Sequence, residues 1–398
     1  MCEKTLEAYD ELCRNRSKPS RLTVMQLLPE LKSGGVERGT LEMGKYLAQH
    51  GHRSLVVSAG GRLVEDLEKE GSRHFPMAIG SKSPLVLSCL FPLRRLIKQQ
   101  RVDVLHLRSR MPAWVGYIVW HSIRCEKRPL LITTFHGFYS VNAYSAIMTK
   151  SEGVIAVSKG IKEHIKEKYF REKNVQLIFR GVEIDSFDPD GVEDARCQAL
   201  RQKWGIVDGV PLLMLPGRLT RLKGQEIFLK SLLLLKELSF QAVLVGDDGE
   251  NRSYSMELLD IIQKNNLQDR VKLVGHCTDM PAAFLLADIV LSTSSLEPEA
   301  FGRTTVEAMA MGCPVIVTGH GGSLETVIPG ENGWIVPPAN VEELAGAIGE
   351  ALSSTPERLR EIGENNRRRV KENFTSQAMC EQTLSFYQKL LQERKKGR

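Results

Sequence analysis

Two carboxylates and two cations are the residues of this sequence best spaced for chemistry. Glu299 and Glu307 bracket Phe301-Gly302-Arg303 within SSLEPEAFGRTTVEAMAM (294–311). Arg218 and Lys223 follow an apolar run in PLLMLPGRLTRLKGQE. DIVLST (288–293) has the length of a strand, and Thr304 to Met311 is rich in helix formers, so the glutamates lie on a strand-loop-helix unit. The first N–H groups of such a helix lack intrahelical partners and sit at the positive end of its dipole. An anion such as a nucleotide diphosphate can settle there, and Gly302 lets the backbone come close. Read alone, the glutamate pair also fits a solvated helix face, and the two cations also fit an ordinary surface.

The elements that must position these groups alternate along the whole chain. Leu22 to Leu28 reads as a buried strand, Lys32-Ser33-Gly34-Gly35 as a tight loop, and Val36, Thr40, Met43 and Leu47 as one face of a helix ended by Gly51. Further apolar runs at 54–58, 102–107, 130–135, 153–158 and 175–179 are separated by helix-length segments. That is βα repetition around a largely parallel sheet. The segment from Gly181 to Trp204 breaks the pattern with acidic residues, Gly and Pro, and is expected to link two domains. The alternation restarts at Leu212, with a long helix expected from Lys223-Gly224 through Leu238, and strands ending at Gly246-Asp247-Asp248 and Gly275-His276. Two charged helices, 356–373 and 375–394, close the chain.

In open α/β sheets ligands collect at the carboxyl ends of the strands. His136, in TTFHGFYS, stands at one such end, where a functional role and a structural one are equally open. Arg108 and Arg110 follow another and read as surface arginines or as contacts for an anionic acceptor. The glycine loop after the first strand lacks G-x-G-x-x-G, so the dinucleotide fingerprint is missing.

A chain of 398 residues with 42% hydrophobic composition supports two cores. The longest apolar stretches, such as 111–123, fall short of the roughly 20 residues of a membrane span, and the polar opening MCEKTLEAYDELCRNR does not read as a signal peptide. A cytoplasmic protein is expected. Eight scattered cysteines with no C-x2-C pair point to reduced structural thiols, not to zinc or disulfides. The net charge of +6 is uneven: residues 1–200 hold 31 Lys and Arg against 23 Asp and Glu. The basic half could face anionic lipid, an acidic glycan or nucleic acid, or merely solvent. No nucleic-acid motif accompanies it.

Three spaced signatures carry a resemblance: GGVER (34–38), GRLTRLKG (217–224) and EAFGRTTVE (299–307), the last followed by EAMAMGCPVIV and Gly321-Gly322. Together they resemble the retaining, nucleotide-sugar-dependent glycosyltransferases of family 4, with Ala300 where Gly is frequent and Arg180 and Glu183 in the hinge where Asn and Asp are usual. The resemblance implies a GT-B fold, two Rossmann-like domains facing one another across a cleft. Expected are an acceptor-side domain over 1–185, a linker over 186–204, a donor domain over 205–374, and a last helix, 375–398, returning to the first domain.

By the same resemblance Arg218 and Lys223 bind the diphosphate, beside Gly217. Glu299 meets hydroxyls of the donor sugar, Glu307 holds the ribose, and Phe301, Gly302 and Arg303 lie at the sugar-diphosphate. Gly275 and His276 approach the base, Gly34 and Gly35 face phosphates and acceptor, and His136 stands near the donor-acceptor junction. Glu325 is expected to be structural. The implied reaction transfers a sugar from a UDP or GDP donor to a glycan or lipid-linked hydroxyl, without cofactor or metal, in lipopolysaccharide or other surface-glycan synthesis; the charge of the basic half, and not the resemblance, adds the expectation of peripheral contact with an anionic membrane. The Asp188-Pro189-Asp190 match to a metal-binding D-x-D is discounted because it falls in the linker. Two other classes stay open: a nucleotide-sugar epimerase of the same fold, which would form an isomeric nucleotide sugar with no acceptor present, and a non-catalytic binder of membrane or nucleic acid, which salt-dependent affinity would reveal.

Overall fold

The structure, a computed structural model, describes residues 21–32, 34–247, 249 and 253–396. The polar N-terminal arm with Cys2 and Cys13, Ser33 of the glycine loop, and Asp248 lie outside the described residues. The first sheet contains β1 (Thr23–Leu27), β2 (Arg53–Ser58), β3 (Arg73–Pro76), β4 (Val104–Leu107), β5 (Leu130–Phe135), β6 (Gly153–Ala156) and β7 (Val175–Leu177), in the order β3-β2-β1-β4-β5-β6-β7. The second contains β8 (Leu212–Pro216), β9 (Gln241–Val245), β10 (Val271–Gly275), β11 (Ile289–Ser292), β12 (Val315–Thr318) and β13 (Trp334–Val336), in the order β10-β9-β8-β11-β12-β13. Its strands pair in parallel throughout.

Parallel strands covered by helices on both faces have no wet side, which is why these runs are apolar without alternation. Every residue of β1, β4, β5, β8 and β9 is buried. Phe228, Leu229, Leu232, Leu258, Leu344 and Ile348 from the covering helices pack on the second sheet through Leu213, Leu215, Ala242 and Leu244. In the first sheet Leu28, Leu31, Val56 and Leu67 form a smaller cluster, and the helix Gly35–Gln49 buries Thr40, Met43 and Leu47 as its spacing requires.

Three expectations are revised. The helix after Gly224 stops at Leu233 instead of Leu238; turns then carry Leu235 and Leu238 against the core while the chain swings back to start β9. The expected linker contains a helix, Asp194–Trp204, which buries Leu200 and Trp204 and forks Arg196 onto Asp279 at 2.8 and 2.6 Å. Only the part before it has the acidic, Gly and Pro character that suggested a break. Arg108 is buried, with 5% of its surface exposed, and so is no surface arginine.

By internal contacts the chain divides into two units, one ending at Thr134 with Lys150–Gly153 and the stretch from Leu390 added, the other holding Phe135–Thr149 and Val154–Lys389. The last helix, Ser376–Lys396, therefore ends in the first unit, where Arg394 donates to the Arg128 carbonyl at 3.0 Å and lies 3.6 Å from Glu152. Among the described residues no helix is long and apolar enough to cross a membrane.

Candidate active site

The second sheet reverses its winding between β8 and β11: the chain lays β9 and β10 on one side of β8, then returns to place β11 on the other. Loops leaving two such neighbouring strands diverge and open a crevice at their carboxyl ends. Lys223 comes from the loop after β8 and Glu299 from the loop after β11. They meet there, Nζ to Oε2 at 2.6 Å.

Backbone geometry fixes both loops. Gly224 has φ of +67°, and a Cβ on it would lie 2.0 Å from the Thr293 carbonyl oxygen. Thr293, just past β11, in turn donates its hydroxyl to the carbonyls of Lys223 at 2.8 Å and Gly224 at 3.2 Å. On the other side Gly322 donates its N–H to the Glu299 carbonyl at 2.7 Å. A Cβ at Gly321, where φ is +65°, would lie 2.2 Å from that same oxygen. The Gly321-Gly322 turn thus serves to hold the Glu299 loop against the end of β12.

The Glu299 carboxylate also accepts from the Ser294 hydroxyl at 2.9 Å. The Ser294 carbonyl is held by the Thr318 hydroxyl and by Nε2 of His320, each at 2.7 Å. Burial alone would push the Glu299 carboxyl up. The Lys223 ammonium, the hydrogen bonds from Lys223 and Ser294, and nearby His320 outweigh it and hold the group below the usual carboxylate range. The pair is not sealed: the Lys223 and Glu299 side chains keep 31% and 21% of their surface.

Beyond Glu299, Gly302 takes φ of +85° and starts the helix Arg303–Ala310 with no side chain over its first N–H groups. Arg303 Nε meets Glu307 Oε1 at 2.8 Å, and their side chains are 13% and 10% exposed. Gly217, Gly246 and Gly275 end β8, β9 and β10. Their backbones touch: Gly217 N–H donates to Val245 and Gly246 N–H to Gly275, both at 2.8 Å, and a Cβ at Gly246 would fall 1.9 Å from the Gly217 carbonyl oxygen. The side chains of Arg218 and His276 are exposed beside this edge.

The structure therefore joins Lys223 to Glu299 and Arg303 to Glu307, sets Gly217 and Gly275 at strand ends of one sheet, and sets Gly302 at the start of the helix that follows β11 in that sheet. The Phe301 ring faces elsewhere. It is 3% exposed, 5.6 Å from the Phe374 ring and 6.3 Å from that of Phe179, so the ring anchors the loop. His136 is half-buried, its Nδ1 accepting from Arg180 at 3.2 Å, which leaves the ring proton on Nε2. Gly34, with φ of +130°, precedes the helix Gly35–Gln49 in the first unit. Glu325 accepts the N–H groups of Lys159 and Gly160 at 2.8 and 3.1 Å, a carboxylate at the start of the helix Lys159–Tyr169 and a structural contact. Thr293, Ser294, Thr318 and His320 escaped the sequence reading. Their position at or just past the ends of β11 and β12 was the available signal.

Comparison with known proteins places both halves of the chain in one family. The model described as Glycosyl transferases group 1 matches residues 197–369, and that of Glycosyltransferase Family 4 matches residues 33–186. A glycosyltransferase from Rickettsia africae ESF-5, of known crystal structure, is 35% identical, with 94% of this chain and 99% of that one covered and a TM-score of 0.86. This chain belongs to the group 1, family 4 glycosyltransferases. Its two parallel sheets are the two Rossmann-like halves of a GT-B glycosyltransferase. Anabaena HepE, solved in complex with UDP, is 25% identical to this glycosyltransferase over 92% of this chain and 99% of that one, with a TM-score of 0.75. The Staphylococcus aureus capsular polysaccharide biosynthesis glycosyltransferase CapM is 24% identical over 388 residues, 93% of this chain and 98% of that one.

Proposed function

We propose that this glycosyltransferase moves a sugar from a nucleoside diphosphate, UDP in preference to GDP, to a hydroxyl of a glycan or lipid-linked acceptor, with retention and without a metal. In this reading residues 205–374 hold the donor and residues 1–185 the acceptor side. The observation that carries it is the Lys223–Glu299 pair at the reversal point of the second sheet, 2.6 Å apart and still open to water. An arriving diphosphate offers Lys223 a stronger anion than Glu299 does, and Arg218 stands exposed on the same loop. Glu299, released from the ammonium, can accept hydrogen bonds from sugar hydroxyls. Glu307, one helical turn inside, suits the ribose.

As the bond from the anomeric carbon to the diphosphate oxygen breaks, negative charge grows on the leaving group. Fixed cations stabilise that state more than the ground state. The acceptor oxygen bonds to the same face of the anomeric carbon, and its proton passes to the departing phosphate oxygen. Retaining glycosidases use two carboxylates about 5 Å apart across the bond; here both glutamates have binding work, which leaves front-face substitution. The UDP bound by HepE supports the choice of base. CapM and the GGVER signature favour surface-glycan synthesis, lipopolysaccharide included, on the cytoplasmic side of the membrane.

A thermal-shift panel of UDP and GDP sugars tests the donor, since a bound ligand stabilises the native state by mass action. A UDP sugar is expected to raise Tm. Transfer by the same protein in EDTA, with the product anomer read by NMR, is expected to persist with retention. No shift with any nucleotide sugar, or transfer with inversion, contradicts the reading.

A further inference from the structure

Three large apolar side chains crowd one exposed turn of the first unit: Leu85, Leu87 and Phe91 are 77%, 59% and 70% exposed. Single exposed apolar residues are ordinary, but a cluster marks an interaction surface. The turn is firmly built. Ser83 caps the 3-10 helix Pro84–Cys89 by accepting the Leu85 N–H, and the helix Leu90–Gln100 continues it. Val86, Cys89, Leu93 and Ile97 face inward and fix which side is left out.

The charge around this cluster has one sign. No Asp or Glu occurs between Glu70 and Asp103. Phe91, Arg95 and Lys98 fall at i, i+4 and i+7 and share a helix face. The side chains of Lys82, Arg95 and Lys98 make no ion pair or hydrogen bond among the described residues. The neighbouring helix Arg110–His121 carries no acid either and exposes Ile118 at 43%.

We propose that residues 82–98 dock this glycosyltransferase on an anionic lipid bilayer. Leu85, Leu87 and Phe91 enter the boundary of the acyl chains, while Lys82, Arg95 and Lys98 meet the headgroup phosphates; an apolar face with a basic border is the composition of an interfacial segment. Nucleic acid or an acidic peptide would satisfy the cations and leave three apolar side chains in water. The inference rests on the reading above for its lipid-linked acceptor, and adds the surface that brings the enzyme to it.

Co-sedimentation of the full chain with phosphatidylcholine vesicles, with and without phosphatidylglycerol, tests the proposal. Binding is expected to need phosphatidylglycerol and to weaken as salt rises. Leu85→Ser with Phe91→Ser is expected to lower it at least ~10-fold, and Arg95→Gln with Lys98→Gln to cost about fivefold for each cation removed. Both variants should keep the wild-type Tm shift with a UDP sugar in vesicle-free buffer, which separates this proposal from the donor assignment. Wild-type protein that ignores the vesicles, or variants that bind them undiminished, would overturn it. So would a dimer in sedimentation velocity that the apolar variant dissociates, since a second copy would then be the occupant.

Discussion

Arg108 at the end of β4 and Lys223 after β8 are both cations at the carboxyl edge of a parallel sheet, in opposite circumstances. Arg108 is 5% exposed and donates to Gln26 at 2.8 Å, while Gln26 donates to the Thr40 carbonyl at 3.1 Å. Next to it His106 is buried against the Thr134 hydroxyl at 2.7 Å, and burial, then the Arg108 charge, hold its imidazole well below its usual range. Lys223 keeps 31% of its surface and is tied to one carboxylate. A buried, hydrogen-bonded charge cannot be withdrawn without leaving its partner unsatisfied. A half-exposed ion pair contributes only about 0–1 kcal/mol and can be exchanged for a ligand's charge. One edge is committed to holding its sheet together; the other carries a partly exposed ion pair.

Substitutions should separate these two edges. Lys223→Ala or Glu299→Ala is expected to lower kcat by about 10²–10³ or more while circular dichroism and Tm stay near wild type; unchanged turnover of either purified variant would erase the distinction. Arg108→Met should do the reverse, costing about 2–3 kcal/mol in the denaturant midpoint because Gln26 loses its partner, with the UDP affinity of the folded protein preserved. Gly224→Ala should fall between, losing about 1–2 kcal/mol through a side chain at positive φ and weakening UDP binding as the loop shifts away from Thr293.

The smallest effect is on pH dependence. Glu299 has its folded pKa below its unfolded one, so its contribution is complete above the ordinary carboxylate range and is lost as pH falls through the lowered value. Glu299→Gln should therefore flatten the acid side of a stability-versus-pH curve measured by urea unfolding. An unaltered acid side would place the effect on other carboxylates.

The parts of this molecule legible in sequence were those written in local pattern. β1, β8, β9 and β12 are buried throughout and mostly apolar because both faces of each sheet are covered, and Gly302 and Gly321 stand where the backbone must take positive φ. β3 was missed because RHFP is a short edge strand with no residue fully buried. Arg108 was misjudged because charge after a strand reads as solvent-facing until Gln26, from another strand, is seen beneath it. The Lys223–Glu299 contact spans 76 residues and depends on β8 lying beside β11. Family resemblance could place both residues at a donor, but no spacing rule discloses the bond between them.

Calorimetric titration of UDP into wild-type protein and into Lys223→Ala addresses the central claim most directly, because it isolates the diphosphate from sugar and acceptor. Binding by the wild type is expected, with at least ~10-fold weaker binding by the variant, the loss of one charge-assisted contact. Equal affinity in both proteins would contradict that claim and place the diphosphate elsewhere than the end of β8.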